Sequence, residues 1–314
     1  MKILVTGGAG FIGSHVCDVM LARGHEVIAL DNLSSGRREN LAPGVRLCVL
    51  DIRAREAAEL IERERPAAIC HLAAQMDVRR SVEDPRFDAE ANILGMLNLL
   101  EAARRSGVKK VIFSSTGGAI YGEQDVYPAP EGHPPRPVSP YGVSKAAGEL
   151  YLGYYRAQYG LASAALRYAN VYGPRQNAHG EAGVVAIFSE RLVTGKRCTI
   201  YGTGAQTRDF VFGPEVAEAN ALALERDVQG PVNIGTGVET EVNALYRLLA
   251  EEAGCAEPAL HAAGRPGEQL RSSVDPSLAR KVLGWEPRVA LRDGLRRTLD
   301  HFRRAVSPAL AGNP

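Results

Sequence analysis

Short apolar runs punctuate the first half of the chain: Ile3-Leu4-Val5, Val27-Ile28-Ala29-Leu30, Leu47-Cys48-Val49-Leu50, Ala67-Ala68-Ile69-Cys70 and Val111-Ile112-Phe113. Each is continuous rather than alternating, the pattern of a strand covered on both faces. Between them, apolar residues fall at helical spacing over Phe11 to Arg23, Ala54 to Glu64 and Asn92 to Ser106. A further strand, Ala164 to Tyr168, follows a helix beginning near Tyr141. Repeated strand–helix–strand units of this kind predict an α/β fold, a Rossmann-type doubly wound parallel sheet. Past about residue 170 the rhythm breaks into irregular Gly- and Pro-rich stretches, with amphipathic helices at 240–253, 275–283 and 291–304. This predicts a sheet domain over 1–168, with 207–226 returning to it, and a smaller C-terminal lobe over 169–314. Ser307 to Pro314 read as a frayed tail.

Composition narrows the function classes. Lys and Arg (37) nearly cancel Asp and Glu (36), so charge gives no reason to expect nucleic acid or an anionic membrane as partner. No uncharged apolar stretch reaches the ~18 residues of a membrane span. Met1 leads directly into the first strand without a signal-peptide pattern, and the expected location is the cytoplasm. The five cysteines, Cys17, Cys48, Cys70, Cys198 and Cys255, are scattered, as in a reducing compartment. The histidines show no ligand spacing, so no metal is expected.

The first candidate chemistry follows strand one. Gly7, Gly10 and Gly13 form a GxxGxxG turn between a strand and a helix. Glycine leaves room for a pyrophosphate, and the helix-start N–H groups point at the anion. Asp31 ends the second strand, 18 residues after Gly13. A carboxylate there accepts from ribose hydroxyls and repels a 2′-phosphate, which favours NAD over NADP. Asp51-Ile52 closes the third strand within reach of the adenine, and His71-Leu72-Ala73-Ala74 closes the fourth beside the pyrophosphate and nicotinamide. His71 taken alone reads as a satisfied core histidine.

The second is Ser139-Pro140-Tyr141-Gly142-Val143-Ser144-Lys145, opening a helix with Ser139 as cap and Pro140 in the first turn. Tyr141 and Lys145 are four apart and share a face. A cation ~4 Å from a phenol favours phenolate by roughly 4 kcal/mol at an effective dielectric near 20, about three pKa units. That would bring Tyr141 toward neutrality, where a general acid/base works best. The strand end Ser114-Ser115-Thr116-Gly117-Gly118 offers a hydroxyl to both tyrosine and substrate, from Thr116 or alternatively Ser115.

Together these residues resemble the extended short-chain dehydrogenase/reductase family, and within its NAD-dependent epimerase/dehydratase members the UDP-glucose 4-epimerases. The likeness runs nearly the whole chain, with TGGAGFIGSH, DNLSSG, HLAAQ, SSTGGAIYG, SPYGVSK, LRYANVYGPRQ, RDFV and RPGE in order. It implies Thr116, Tyr141 and Lys145 as catalytic residues. It also implies NAD contacts from Phe11, Ile12, Asn32, Ser35, Gly36, Asn92, Ser114 and Tyr168. The implied reaction oxidises a sugar at C4 and reduces it again on the opposite face. Relatives that dehydrate carry Asp-Glu beside the threonine, and decarboxylases commonly a Glu; Gly117-Gly118 cannot do that proton chemistry. Arg208 and Arg265 match the family's diphosphate arginines and Asn170 a diphosphate contact. Glu268 stands where the family has a ribose-binding Asp. Thr199 and Tyr201 would lie along the uracil, and Val184 would line the substrate site. Ser272 replaces a bulky tyrosine of related epimerases and leaves room for an N-acetyl group. Arg175, or less plausibly Arg79 or Arg80, would pair with a C6 carboxylate, which keeps a UDP-glucuronate 4-epimerase open; for Arg175 a loop ion pair is an equal reading. Gly213-Pro214-Glu215 interrupts the expected helix start after RDFV, and Met76-Asp77 departs from the family's pattern. The resemblance also implies a homodimer through the helices following Asn92 and Tyr141. An NADH-releasing oxidoreductase and a catalytically silent nucleotide binder are the competing classes.

Overall fold

The computed structural model describes residues 1–179, 183–264 and 269–311. The first half alternates as the pattern predicts: β1 (Lys2–Thr6), α1 (Phe11–Ala22), β2 (Glu26–Asp31), β3 (Arg46–Val49), α2 (Arg55–Glu64) and β4 (Ala68–His71). Two short helices, α3 (Val78–Glu83) and α4 (Pro85–Ala89), follow, and a π-helical turn at Glu90–Leu94 joins α4 to α5 (Gly95–Ser106). Asp84 caps α4 by accepting from the Phe87 N–H, with Pro85 in its first turn. This Asp-Pro signal carries the helix back beyond the predicted start at Asn92. Next come β5 (Lys110–Thr116), α6 (Gly117–Ile120), α7 (Pro140–Tyr159) and β6 (Ala162–Tyr168).

The second half holds β7 (Asn170–Tyr172), α8 (Val184–Val193), β8 (Thr199–Tyr201), β9 (Thr207–Phe212), α9 (Gly213–Glu225) and β10 (Gly230–Ile234). It ends with β11 (Glu239–Glu241), α10 (Val242–Ala253), β12 (Leu260–Ala262), α11 (Ser277–Leu283) and α12 (Leu291–Ala311). The last helix therefore runs through most of the expected tail. α9 starts directly at Gly213: Pro214 suits a first helical turn and Glu215 its positive end, so the expected interruption is a normal helix start.

The main sheet has seven strands in the order β10-β6-β5-β4-β1-β2-β3, all parallel. Helices cover both faces. One core packs Ile3, Val5, Val16 and Met20 against α9, and the other packs Leu4, Ile69, Leu99 and Phe113 under α2, α5 and α7. Each such fully buried side chain stabilises by about 1.5–3 kcal/mol. Two differences from the expectation stand out. β3 is an edge strand, half open to solvent rather than covered. β10, beyond the segment expected to return, is the opposite edge and pairs with β6. The remaining strands form small sheets, β11-β9-β7 and β12-β8, around a third core with α8, α10 and α12. No helix among the described residues is long and apolar enough to cross a membrane.

Candidate active site

The turn after β1 is closed on itself. Gly10 N donates to Gly7 O at 3.1 Å, and a Cβ on Gly13 would lie 2.0 Å from that same oxygen. Gly7 adopts φ +67° against the main chain of Leu72 and Ala73. α1 begins with no side-chain cap and no acidic residue in its first turn. Its first N–H groups, those of Phe11 and Ile12, have no intrahelical acceptor and form the positive end of the helix. Such a cradle fits a pyrophosphate. Buried Asp31 ends β2 beside it, accepting from Ala9 N (3.0 Å) and Leu33 N (2.8 Å). A Cβ on Gly36 would meet the Asp31 carboxylate at 2.8 Å. Each carboxylate oxygen keeps a second lone pair for a ribose hydroxyl. The residues present therefore fit a dinucleotide.

Other expected cofactor residues have prior commitments. Exposed Asn32 donates to Asp51, whose carboxylate Arg53 grips with two 2.9 Å bonds, holding it well below the usual carboxylate range. Ser35 is exposed in the turn between Asp31 and Gly36, and Ala74 is half-buried in the loop after β4. The Ile52 side chain is core beneath α5, which leaves only its main chain for the adenine side. Asn92 spends both amide hydrogens on Gln75 O and Asp88, so it braces the loop after β4 rather than reaching outward. Tyr168 is buried, and its hydroxyl exchanges hydrogen bonds with Asn220 in the core. His71 is a core histidine: Thr6 Oγ1 lies 2.7 Å from its Nδ1, and burial, then Lys145, pull it down to about 3.

α7 supplies the reactive pair. Ser139 caps the helix through Gly142 N, and Pro140 occupies its first turn. The helix lies so close to β5 that a Cβ on Gly148 would come within 2.8 Å of the Phe113 ring. That approach seats buried Lys145 with Nζ donating to Ser114 O at 2.7 Å. Its Nζ lies 4.7 Å from the Phe113 ring centroid and 5.7 Å from that of Tyr141. Burial brings the Lys145 ammonium down to about 8. Two residues on, Thr116 Oγ1 accepts from Ala119 N at 3.2 Å and keeps its own hydrogen to donate. A Cβ on Gly118 would stand 3.8 Å from both Thr116 Oγ1 and Asn170 Oδ1, which places these residues around one small space. A Cβ on Gly117 would strike Val274 at 2.5 Å, so a carboxylate side chain has no room there.

The structure corrects the alternative to Thr116. Alternation along β5 turns Ser115 the other way, and its hydroxyl donates to Glu149 at 2.6 Å beside the buried Arg167–Glu149 ion pair. Sequence reasoning missed this cluster because its bonded pairs are 34 and 18 residues apart.

In the second half, Arg208 lies on β9, its guanidinium donating to Thr207 O at 2.7 Å. Thr199 and exposed Tyr201 are on β8, and Val184 opens α8. Ser272 is buried, its carbonyl accepting from Asp209 N. Arg175 is paired with Asp18 of α1 at 2.7 Å, the loop ion pair and not a carboxylate site for a sugar. Arg79 and Arg80 are exposed on α3. Arg265 and Glu268 lie outside the described residues.

The NAD dependent epimerase/dehydratase family matches residues 3–235. The chain belongs to this family. A UDP-glucose 4-epimerase of Mycolicibacterium smegmatis is 47% identical, covering 96% of this chain and 99% of its own. The solved UDP-glucose 4-epimerase of Thermotoga maritima, with UDP-glucose, superposes with a TM-score of 0.95 at 49% identity, covering 98% of this chain and all of the other. That of Thermus thermophilus, in complex with NAD, gives 0.93 at 51% identity, with 98% and 100% covered. The family match spans the glycine turn, Asp31, Thr116, Tyr141 and Lys145, the residues gathered at the carboxyl ends of the main-sheet strands and the start of α7.

Proposed function

We propose that this chain is an NAD-dependent 4-epimerase of UDP-hexoses that interconverts UDP-glucose and UDP-galactose. The reading rests above all on one observation: Lys145, its ammonium anchored on Ser114 O, stands one turn from Tyr141 at the end of the strand that carries Thr116. Gly7, Gly10, Phe11, Ile12 and Gly13 would cradle the NAD pyrophosphate and Asp31 the adenosine ribose. Bound NAD supplies an acceptor and then a donor for one hydride. Tyr141 removes the proton of the sugar 4-hydroxyl as C4 is oxidised to the ketone. It returns a proton to that oxygen when C4 is reduced on its other face. Lys145 holds the phenol in its reactive form, and Thr116 donates to the same oxygens. Arg208 and Asn170 would grip the diphosphate, with Tyr201 and Thr199 along the uracil and Val184 beside them. The main sheet thus carries the cofactor, and the smaller sheets carry the nucleotide.

Supplying UDP-glucose and following both products tests the reading. UDP-galactose should form with no net NADH; NADH accumulating without UDP-galactose would reject it. A second substrate, the UDP-N-acetylhexosamine pair, rests on the small side chain of Ser272 and is refuted by undetectable turnover of the N-acetyl sugar alongside active UDP-glucose.

Two further features support finer readings. Exposed Leu94, Val143, Leu150 and Tyr154 lie on or beside α5 and α7, an apolar face suited to a second copy, and we read the protein as a homodimer. All five cysteines are free thiols, in keeping with a cytoplasmic enzyme.

A further inference from the structure

Lys145 is a buried cation, and the charges that face it can be counted element by element. α7 itself brings Tyr141 and Glu149, β4 brings His71, β6 brings Arg167 and α4 brings Asp88. Neutral His71 contributes no charge. Glu149 is balanced by Arg167, which binds its two oxygens at 2.9 and 2.6 Å. Arg79, Arg80 and Glu83 on α3, Arg86 on α4 and Glu90 in the π turn are exposed to solvent. Glu101 on α5 is paired with Arg104, Arg105 with Glu62, and Lys110, at the opposite end of β5 from Ser114, donates to Arg226 O. α6 and β10 bring no titratable side chain.

Asp88 is what remains. It is fully buried and accepts hydrogen bonds from neutral donors: Ser144 Oγ at 2.6 Å on one oxygen, Asn92 Nδ2 at 2.9 Å and Gln75 Nε2 at 3.3 Å on the other. Ser144 directly precedes Lys145, so the carboxylate is tied to the helix turn that carries the ammonium. We propose that Asp88 is the counter-charge of Lys145, a positioning residue that keeps the lysine protonated in its buried seat without touching substrate. The inference deepens the Tyr141–Lys145 reading above and rests on it. Burial drags the Lys145 ammonium toward neutrality, and Asp88 stands ahead of Glu149 among the charges that oppose this. Asp88 also gives the loop after β4 and the helix of the reactive pair a common anchor, through Gln75, Asn92 and Ser144.

The test is Asp88→Asn, which keeps the shape; Ser144 can reverse its hydroxyl to accept from the new amide. Two titrations are read: the pH profile of epimerase kcat, and the near-ultraviolet phenolate absorbance of Tyr141, taken as the difference from Tyr141→Phe in the same background. Removing a negative charge eases loss of both the lysine and the tyrosine proton. Both limbs of the rate profile and the phenolate midpoint should therefore move to lower pH, by about one unit. Asp88→Glu should restore them, and Ser144→Ala should leave them in place. A lower rate at every pH with unmoved limbs would overturn the inference and leave Asp88 a packing residue. Should Asp88→Asn not fold, Asp88→Ser removes the same charge with less bulk and carries the same expectations. Wild-type protein without epimerase activity would refute the functional reading instead, while the phenolate midpoint would still decide this one.

Discussion

The two halves of the site are held in different ways. On the cofactor side, Gly13, Asp31 and Lys145 are fixed by main-chain contacts at the strand ends of a seven-stranded sheet and on the helices packed on it: a missing Cβ at 2.0 Å, an N–H at 3.0 Å, a carbonyl at 2.7 Å. On the proposed substrate side, Tyr201 and Arg208 ride on strands of three and six residues, in sheets of two and three strands. Geometry that must be the same for every turnover is built into backbone. Recognition is left to side chains on small sheets, where exchange disturbs little else.

The strongest way to break this comparison is Tyr141→Phe. It should lower kcat by about a thousandfold with UDP-glucose affinity nearly unchanged, measured by steady-state assay and calorimetric titration. Thr116→Ala should cost about a hundredfold in kcat, whereas Ser115→Ala, which only releases Glu149, should stay within about threefold. Equal losses in the two would mean that β5 does not sort its hydroxyls as its alternation indicates. On the other half, Arg208→Ala should raise KM by roughly 10- to 100-fold, the worth of a charged hydrogen bond, with kcat little changed. A kcat loss without a KM change would move Arg208 into the chemistry. The mildest effect is on stability. His71 is held down at about 3 in the fold, so the unfolded chain binds its proton first as pH falls. Stability should be full above about pH 6.5 and drop by about 2 kcal/mol between pH 7 and pH 5. Denaturant titrations at the two pH values check this, and His71→Asn should remove that share of the slope.

The same division explains what the sequence disclosed. Five strands of the main sheet, β1, β2, β4, β5 and β6, were legible because burial on both faces leaves continuous apolar runs. The glycine turn, Asp31 and the Tyr141–Lys145 spacing are local signals, readable within one turn or one βαβ unit. β3 misled because an edge strand carries the same short apolar run as a central one. β10 escaped because Gly230-Pro231-Val232-Asn233-Ile234 is short, opens on Gly and Pro, and has Asn233 breaking its apolar run. The commitments of Ser115, Asn92, Tyr168 and Arg175 were illegible for a different reason: each is made to a residue distant in sequence, which no spacing rule reports.

Because β10 hydrogen-bonds along β6 only after the chain has passed through β7, β8 and β9, the segments are interleaved like threads rather than strung like beads. A fragment ending near residue 168 would leave an edge of β6 bare and α1 without the α9 that packs on it, and it should clump rather than fold. Recombination cannot swap a recognition module onto this scaffold with a single crossover; a graft that retains 213–234 needs three junctions, near 168, 212 and 234, and altered sugar preference is reached more readily by point changes on the small sheets.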